Sequence, residues 1–78
     1  MSIVNLPVDF QNTDEDNMVR LNCFVTLRAI ESLQTQLLPG MSIHIFDEEL
    51  TIAGVLRSPG KEGVWRCEID WDCLRSML

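Results

Sequence analysis

The sequence predicts a small α+β domain spanning residues 1–78, with one amphipathic helix on a curled antiparallel sheet of about five strands. Three observations carry this. Apolar and polar residues alternate with period two through "IVNLPVDF", "MVRLNCF" and three closely spaced stretches after residue 40, as half-buried strands do. One stretch between them, "TLRAIESLQTQLLPG", changes to a helical period. Turn-forming clusters such as "QNTDEDN" and "SPGKEG" separate the pieces. The predicted order is β-β-α-β-β-β.

In the first strand Val4, Leu6, Val8 and Phe10 alternate with Ile3, Asn5, Pro7 and Asp9. Pro7 has no N–H to give, which places this strand at a sheet edge or makes it irregular. Val19, Leu21 and Cys23 alternate in a short second strand, expected to pair with the first. In the helix Leu27, Ile30, Leu33 and Leu37 form one stripe, and Arg28, Glu31, Gln34 and Gln36 lie opposite. Thr26 is the expected N-cap, and Pro39-Gly40 the stop.

Three strands follow. "MSIHIF" alternates Met41, Ile43 and Ile45 against Ser42, His44 and Phe46; "LTIAGVLR" alternates Leu50, Ile52, Gly54 and Leu56 against Thr51, Ala53, Val55 and Arg57. "VWRCEIDW" alternates Trp65, Cys67, Ile69 and Trp71 against Val64, Arg66, Glu68 and Asp70. Pairing Arg57 with Val64 sets Leu56 opposite Trp65, Gly54 opposite Cys67, Ile52 opposite Ile69 and Leu50 opposite Trp71. A slip of one residue would turn acids onto the apolar face. The expected core is Leu21, Ile43, Ile45, Leu50, Ile52, Leu56, Trp65, Ile69 and Trp71. "DCLRSML" closes as a helical turn capped by Asp72. The stretch from Gly40 to Trp71 resembles the strands of small SH3-like barrels, a resemblance that implies a curled sheet and no particular activity.

Twelve acidic residues oppose six basic ones, for a net charge of −6. That balance argues against nucleic acid, whose binders supply Lys and Arg to displace counterions, and against an anionic membrane. It fits a protein that repels its own kind or meets a basic partner. Three cysteines without a CxxC pair point to a reducing cytoplasm. "MSIVNLPVDF" has no basic n-region and does not read as a targeting segment.

The chemically dense "GVWRCEIDWDCL" reads as a strand rather than a site. Glu68 and Asp70 share its wet face beside Arg66, where a carboxylate stays ionised. Cys23, Cys67, Cys73 and His44 match a Cys₃His zinc set by count, but they lie on separate elements and faces, so no metal is expected. "NTDEDNMVRLNC" lacks the glycine and glutamate of a calcium loop, "DEE" reads as a charged hairpin tip, and the single glycines cradle no phosphate. Gly54 makes room for a neighbour on the next strand or lets the sheet bend.

The unusual feature is the outer face, where Phe46, Ala53, Val55 and Val64 would form an apolar strip. Either the first strand covers it, closing a barrel, or a second copy or partner does, or it stays exposed. The candidate interaction surface is therefore Phe46, Val55 and Val64 with Arg66, Glu68 and Asp70 at its rim. The expected function is a cytoplasmic protein-interaction or regulatory module without catalytic activity or cofactor, meeting a protein partner or a second copy. Two alternatives stand beside it. One is a small enzyme or ligand-binding protein using His44 with Glu68 or Asp70; the other is a structural homodimer or assembly subunit.

Overall fold

Residues 42–57 build the sheet's centre. Ile43 and Ile45 face inward from β3 (Ser42–Phe46), and Ile52, Gly54 and Leu56 face inward from β4 (Thr51–Arg57). Antiparallel pairing sets Ile43 against Gly54 and Ile45 against Ile52, so all five share one face, as the alternation requires. Between the strands Asp47 accepts the backbone N–H groups of Glu49 and Leu50, both at 2.8 Å. This carboxylate holds the turn that "DEE" was expected to make.

The computed structural model describes residues 4–73. Around the central hairpin stand β1 (Val4–Pro7), β2 (Val19–Arg20), α1 (Phe24–Glu31) and β5 (Arg66–Glu68). The sheet order is β1-β3-β4-β5-β2. This corrects two expectations. The first strand pairs with β3 rather than β2, and it does so in parallel, Val4 with Ile43 through Pro7 with Phe46. The sheet is thus mixed. It is also open: β1 and β2 form opposite edges and do not join, so no barrel closes. Pro7 ends an edge strand, where its missing N–H disturbs no ladder.

Strand β5 is shorter than the alternation suggests, and its register differs by two residues. Arg57 pairs with Arg66, Leu56 with Cys67 and Val55 with Glu68. An even shift keeps every side chain on its expected face, which is why Cys67 and Ile69 are still buried. Gly54, expected opposite Cys67 alone, then lies against both Cys67 and Ile69. A Cβ there would fall 2.8 Å from the Glu68 carbonyl and 2.9 Å from Ile69 Cγ2.

The helix begins three residues early and stops at Glu31. Cys23 occupies the cap position without a side-chain cap, and Thr26, expected to be that cap, is 0% exposed inside the helix. Its hydroxyl donates to the Pro7 carbonyl, hooking α1 to β1. Leu27, placed in the buried stripe by its spacing, is 47% exposed. The last turn tightens: Ser32 N–H bonds Ala29 O and Leu33 N–H bonds Ile30 O, both at 3.1 Å. The chain leaves the helix there, well before Pro39. Ile30, Leu33 and Leu37 still pack on the core.

The core comprises Val4, Leu6, Val8, Val19, Leu21, Ile43, Ile45, Ile52, Leu56, Cys67 and Ile69. Each fully buried Leu or Ile side chain among them contributes about 1.5–3 kcal/mol. Leu50, Trp65 and Trp71, expected inside, are half-buried and pack against its margin. Trp71 keeps its Nε1 near the surface, where it donates to the Asn17 carbonyl at 2.7 Å. A helical turn opens at residue 71. Its cap is Asp70, whose Oδ1 accepts from the Asp72 and Cys73 N–H groups at 3.0 and 3.2 Å; Asp72, the expected cap, is the second residue of the turn. The remainder of the expected "DCLRSML" turn lies outside the described residues.

Candidate interaction surface

The core and α1 lie on one face of the sheet. The other face carries the outward residues of each strand: His44 and Phe46, Thr51, Ala53 and Val55, Arg57, Arg66 and Glu68, and Arg20. At one end of it the loop bearing Asp14 and Asp16 reaches over Arg66. Ala53 is exposed, and His44, Phe46 and Val55 are half-buried.

The six candidate residues separate into different surroundings. Phe46 ends β3 beside Pro7 and Thr51. Val55 lies mid-sheet between Ser42 and Glu68. Val64 is not beside them. It lines a separate cavity of about 440 Å³ with Arg66 and Arg20. Glu68 is exposed and meets Arg57 Nε at 3.1 Å. Asp70 is engaged in its capping role. His44 sits opposite Ala53 on β3, with β4 between it and β5. Two strand spacings, roughly 10 Å, therefore separate its strand from Glu68.

Three arginines stand in one row, because Arg57, Arg66 and Arg20 are cross-strand partners on β4, β5 and β2. Like charges so placed repel, and each is answered by acids. Arg20 holds Glu62 in a two-pronged pair at 2.9 and 3.0 Å and donates to the Thr13 carbonyl at 2.6 Å. The Glu62 hydrogen bond, against a small cost of burial, raises its pKa above the ordinary arginine value. Arg66 Nη1 reaches Asp14 at 3.2 Å and Asp16 at 3.3 Å, and Nη2 reaches the Ser58 carbonyl at 3.2 Å. Its Nε is buried with no partner among the described residues.

Asp14 is the hub of the loop before β2. Its Oδ1 accepts the N–H groups of Asp16 and Met18 at 2.9 and 3.0 Å. Asn17 takes the left-handed conformation at φ 62 that this tight turn demands. Burial pushes the Asp14 carboxyl up. The Met18 N–H, the Arg66 guanidinium and the Asp16 N–H outweigh that and hold it below the usual carboxylate range. The cluster thus pins two loops to the sheet. Nothing in the spacing of "TDEDN" signals an arginine 52 residues away.

At the opposite end of the sheet, parallel pairing brings the end of β1 against the β3–β4 turn. An open groove of about 590 Å³ forms there. Pro7, Val8, Val25 and Phe46 make its floor, and Asp9, Asp47, Glu48 and Glu49 its rim. Phe46 was singled out from the sequence, while the other seven were not assigned to a site. Only the parallel register, a non-local feature, puts Asp9 beside "DEE".

Among the described residues no group of three His, Cys, Asp or Glu is placed to hold a metal ion. No helix among them is long and apolar enough to cross a membrane. Burial, with a smaller push from the Glu68 charge, raises the Cys67 thiol to about 12, leaving it protonated and unreactive at neutral pH. Compared with protein-family models, curated proteins and solved structures, the chain finds no match.

Proposed function

We propose that this chain is a small acidic interaction module that works by holding another protein and has no catalytic step of its own. The observation that supports this is the sorting of its charge. Arg20, Arg57 and Arg66 are paired with the chain's own acids at one end of the sheet. Asp9, Asp47, Glu48 and Glu49 gather at the other end, where no Lys or Arg joins the lining. Arg57 lies six residues along β4 from Thr51, about 20 Å of extended strand. That exceeds the roughly 8 Å screening length at physiological salt, so the arginine row does not neutralise the far end. An acidic surface of this kind favours basic partners and speeds their encounter. The free thiols Cys23, Cys67 and Cys73 suit a reducing, cytoplasmic setting.

The test is affinity capture from native lysate, followed by titration of the purified captured protein by calorimetry. Stoichiometric, salt-weakened binding of a basic protein supports the proposal. A monomer that binds no protein in this test sinks it. A second reading, a homodimer, is favoured by the outward sheet face, where exposed Ala53 stands with half-buried Val55 and Phe46. Light scattering across a concentration series separates the two.

A further inference from the structure

We propose that the groove at the β1–β3 end is a docking site for a cationic segment anchored by one apolar side chain. This rests on the interaction-module reading and names its site and the chemistry of its partner.

The floor supplies the apolar half. Val25 is 54% exposed at the start of α1, and Phe24 beside it is 72% exposed. Phe46 and Pro7, cross-strand partners in the parallel pair, give the groove a fixed wall. A volume of about 590 Å³ accommodates one large apolar side chain with its neighbours.

The rim supplies the charged half, and two of its four carboxylates are held in place. Asp9 Oδ1 accepts the Gln11 N–H at 2.9 Å, and Asp47 Oδ1 accepts from Glu49 and Leu50. Glu48 and Glu49 are exposed. The nearby Arg28 is turned over the Phe24 ring, 5.6 Å from its centroid, and is not part of the groove. An occupant must therefore bring its own positive charge. A second copy is poorly suited: its Arg20, Arg57 and Arg66 are already paired, which leaves Lys61 as the one described cation at that end to meet four rim carboxylates.

The occupant is held through side chains rather than as an added strand. The Pro7 carbonyl is taken by Thr26, the Phe46 carbonyl by Val8 N–H at 2.8 Å, and Asp47 N–H by the Leu50 carbonyl at 2.9 Å. These three backbone groups are already engaged, so a strand-like ligand cannot build its ladder through them.

The experiment measures fluorescence anisotropy of labelled nine-residue peptides against the full chain. One peptide carries a central Leu flanked by Lys and Arg, one carries Lys and Arg with Ser at the centre, and one carries Leu flanked by Glu. The Leu-centred cationic peptide should bind saturably, and about tenfold more tightly at 50 mM than at 500 mM salt. The Ser-centred and Glu-flanked peptides should lose about tenfold or more. Glu48→Lys with Glu49→Lys, and separately Val25→Asp, should each weaken binding about tenfold, while the distant Glu15→Lys should not. All four positions are exposed, so circular dichroism should show these variants folded. Equal binding of the Ser-centred peptide, or a loss with Glu15→Lys alone, overturns the proposal. Concentration-dependent dimers abolished by Val25→Asp overturn it in favour of a second copy. A purified cellular partner that binds the groove variants as well as the parent overturns the groove but leaves the interaction module standing. Binding of neither peptide nor protein overturns both.

Discussion

Arg66 and Asp14, 52 residues apart in the chain, meet at 3.2 Å and tie the loop before β2 to the strand it flanks. Both side chains are largely withdrawn from water, with 18% and 6% exposed. Asp14 also holds two backbone N–H groups, so it organises the loop internally while Arg66 fixes the loop to the sheet.

Asp14→Asn should destabilise the protein at pH 7 by about 1 kcal/mol, the usual worth of such hydrogen bonds. The folded carboxyl titrates below its ordinary value. Its contribution is therefore complete above about pH 4 and fades as pH falls through the folded value. Urea midpoints of parent and variant should differ at pH 7 and converge toward pH 3. A gap of equal size at both pH values would show that the carboxylate charge is not what matters.

The hook between α1 and β1 should be equally measurable. Thr26→Val removes the hydroxyl and strands the Pro7 carbonyl, which should cost about 1–3 kcal/mol. Thr26→Ser keeps the donor and should recover most of that loss. If Ser and Val lower the melting temperature alike, the methyl group rather than the hydroxyl is the contribution.

Gly54→Ala should be among the more damaging small substitutions. Its Cβ would press on Cys67 Sγ, the Glu68 carbonyl and Ile69 Cγ2. Backbone cannot move aside cheaply, so overpacking of about 1–3 kcal/mol is expected. Cys67→Ala removes the sulfur but leaves the Glu68 carbonyl in place, so it should rescue Gly54→Ala only in part. Chemical denaturation of the two singles and the double checks this; complete rescue would contradict the geometry.

The three thiols should react in order. Cys73 is exposed, Cys23 is half-buried, and Cys67 is buried with its pKa raised to about 12. Iodoacetamide at pH 8, followed by mass spectrometry, should label Cys73 first and Cys67 only after unfolding. Early labelling at Cys67 would mean that β5 opens readily.

Much of this architecture was legible in the sequence because period-two alternation is a local signal. The inward faces of β1, β3 and β4 and the inward Cys67 and Ile69 all follow from it. The offset between β4 and β5 escaped because an even shift leaves the alternation unchanged. The partner of β1 escaped for a different reason: a parallel pair is joined across the second strand and the helix, and no local pattern records it. Thr26 resembled a cap because threonine hydroxyls so often seek backbone; here the backbone it found was Pro7, on another element. The groove was hidden for the same cause as the parallel pair. Phe46 and "DEE" were visible, but not the approach of Asp9 and Pro7 toward them.

The sheet order β1-β3-β4-β5-β2 also ranks its parts by how readily they open. Its middle three strands follow one another along the chain, so their ladders close over short connections. The two flanks come from the chain's first third and attach only by closing long ones. In amide hydrogen exchange the β3 and β4 protons should be the last to go, and those of β1 should leave by a smaller, separate opening. That opening would also unhook Thr26 and dismantle one wall of the groove. A ligand seated against Pro7 and Phe46 should therefore slow exchange along β1 more than at the centre of the sheet. In that case one of the molecule's two late-closing edges is the one whose stability its partner controls.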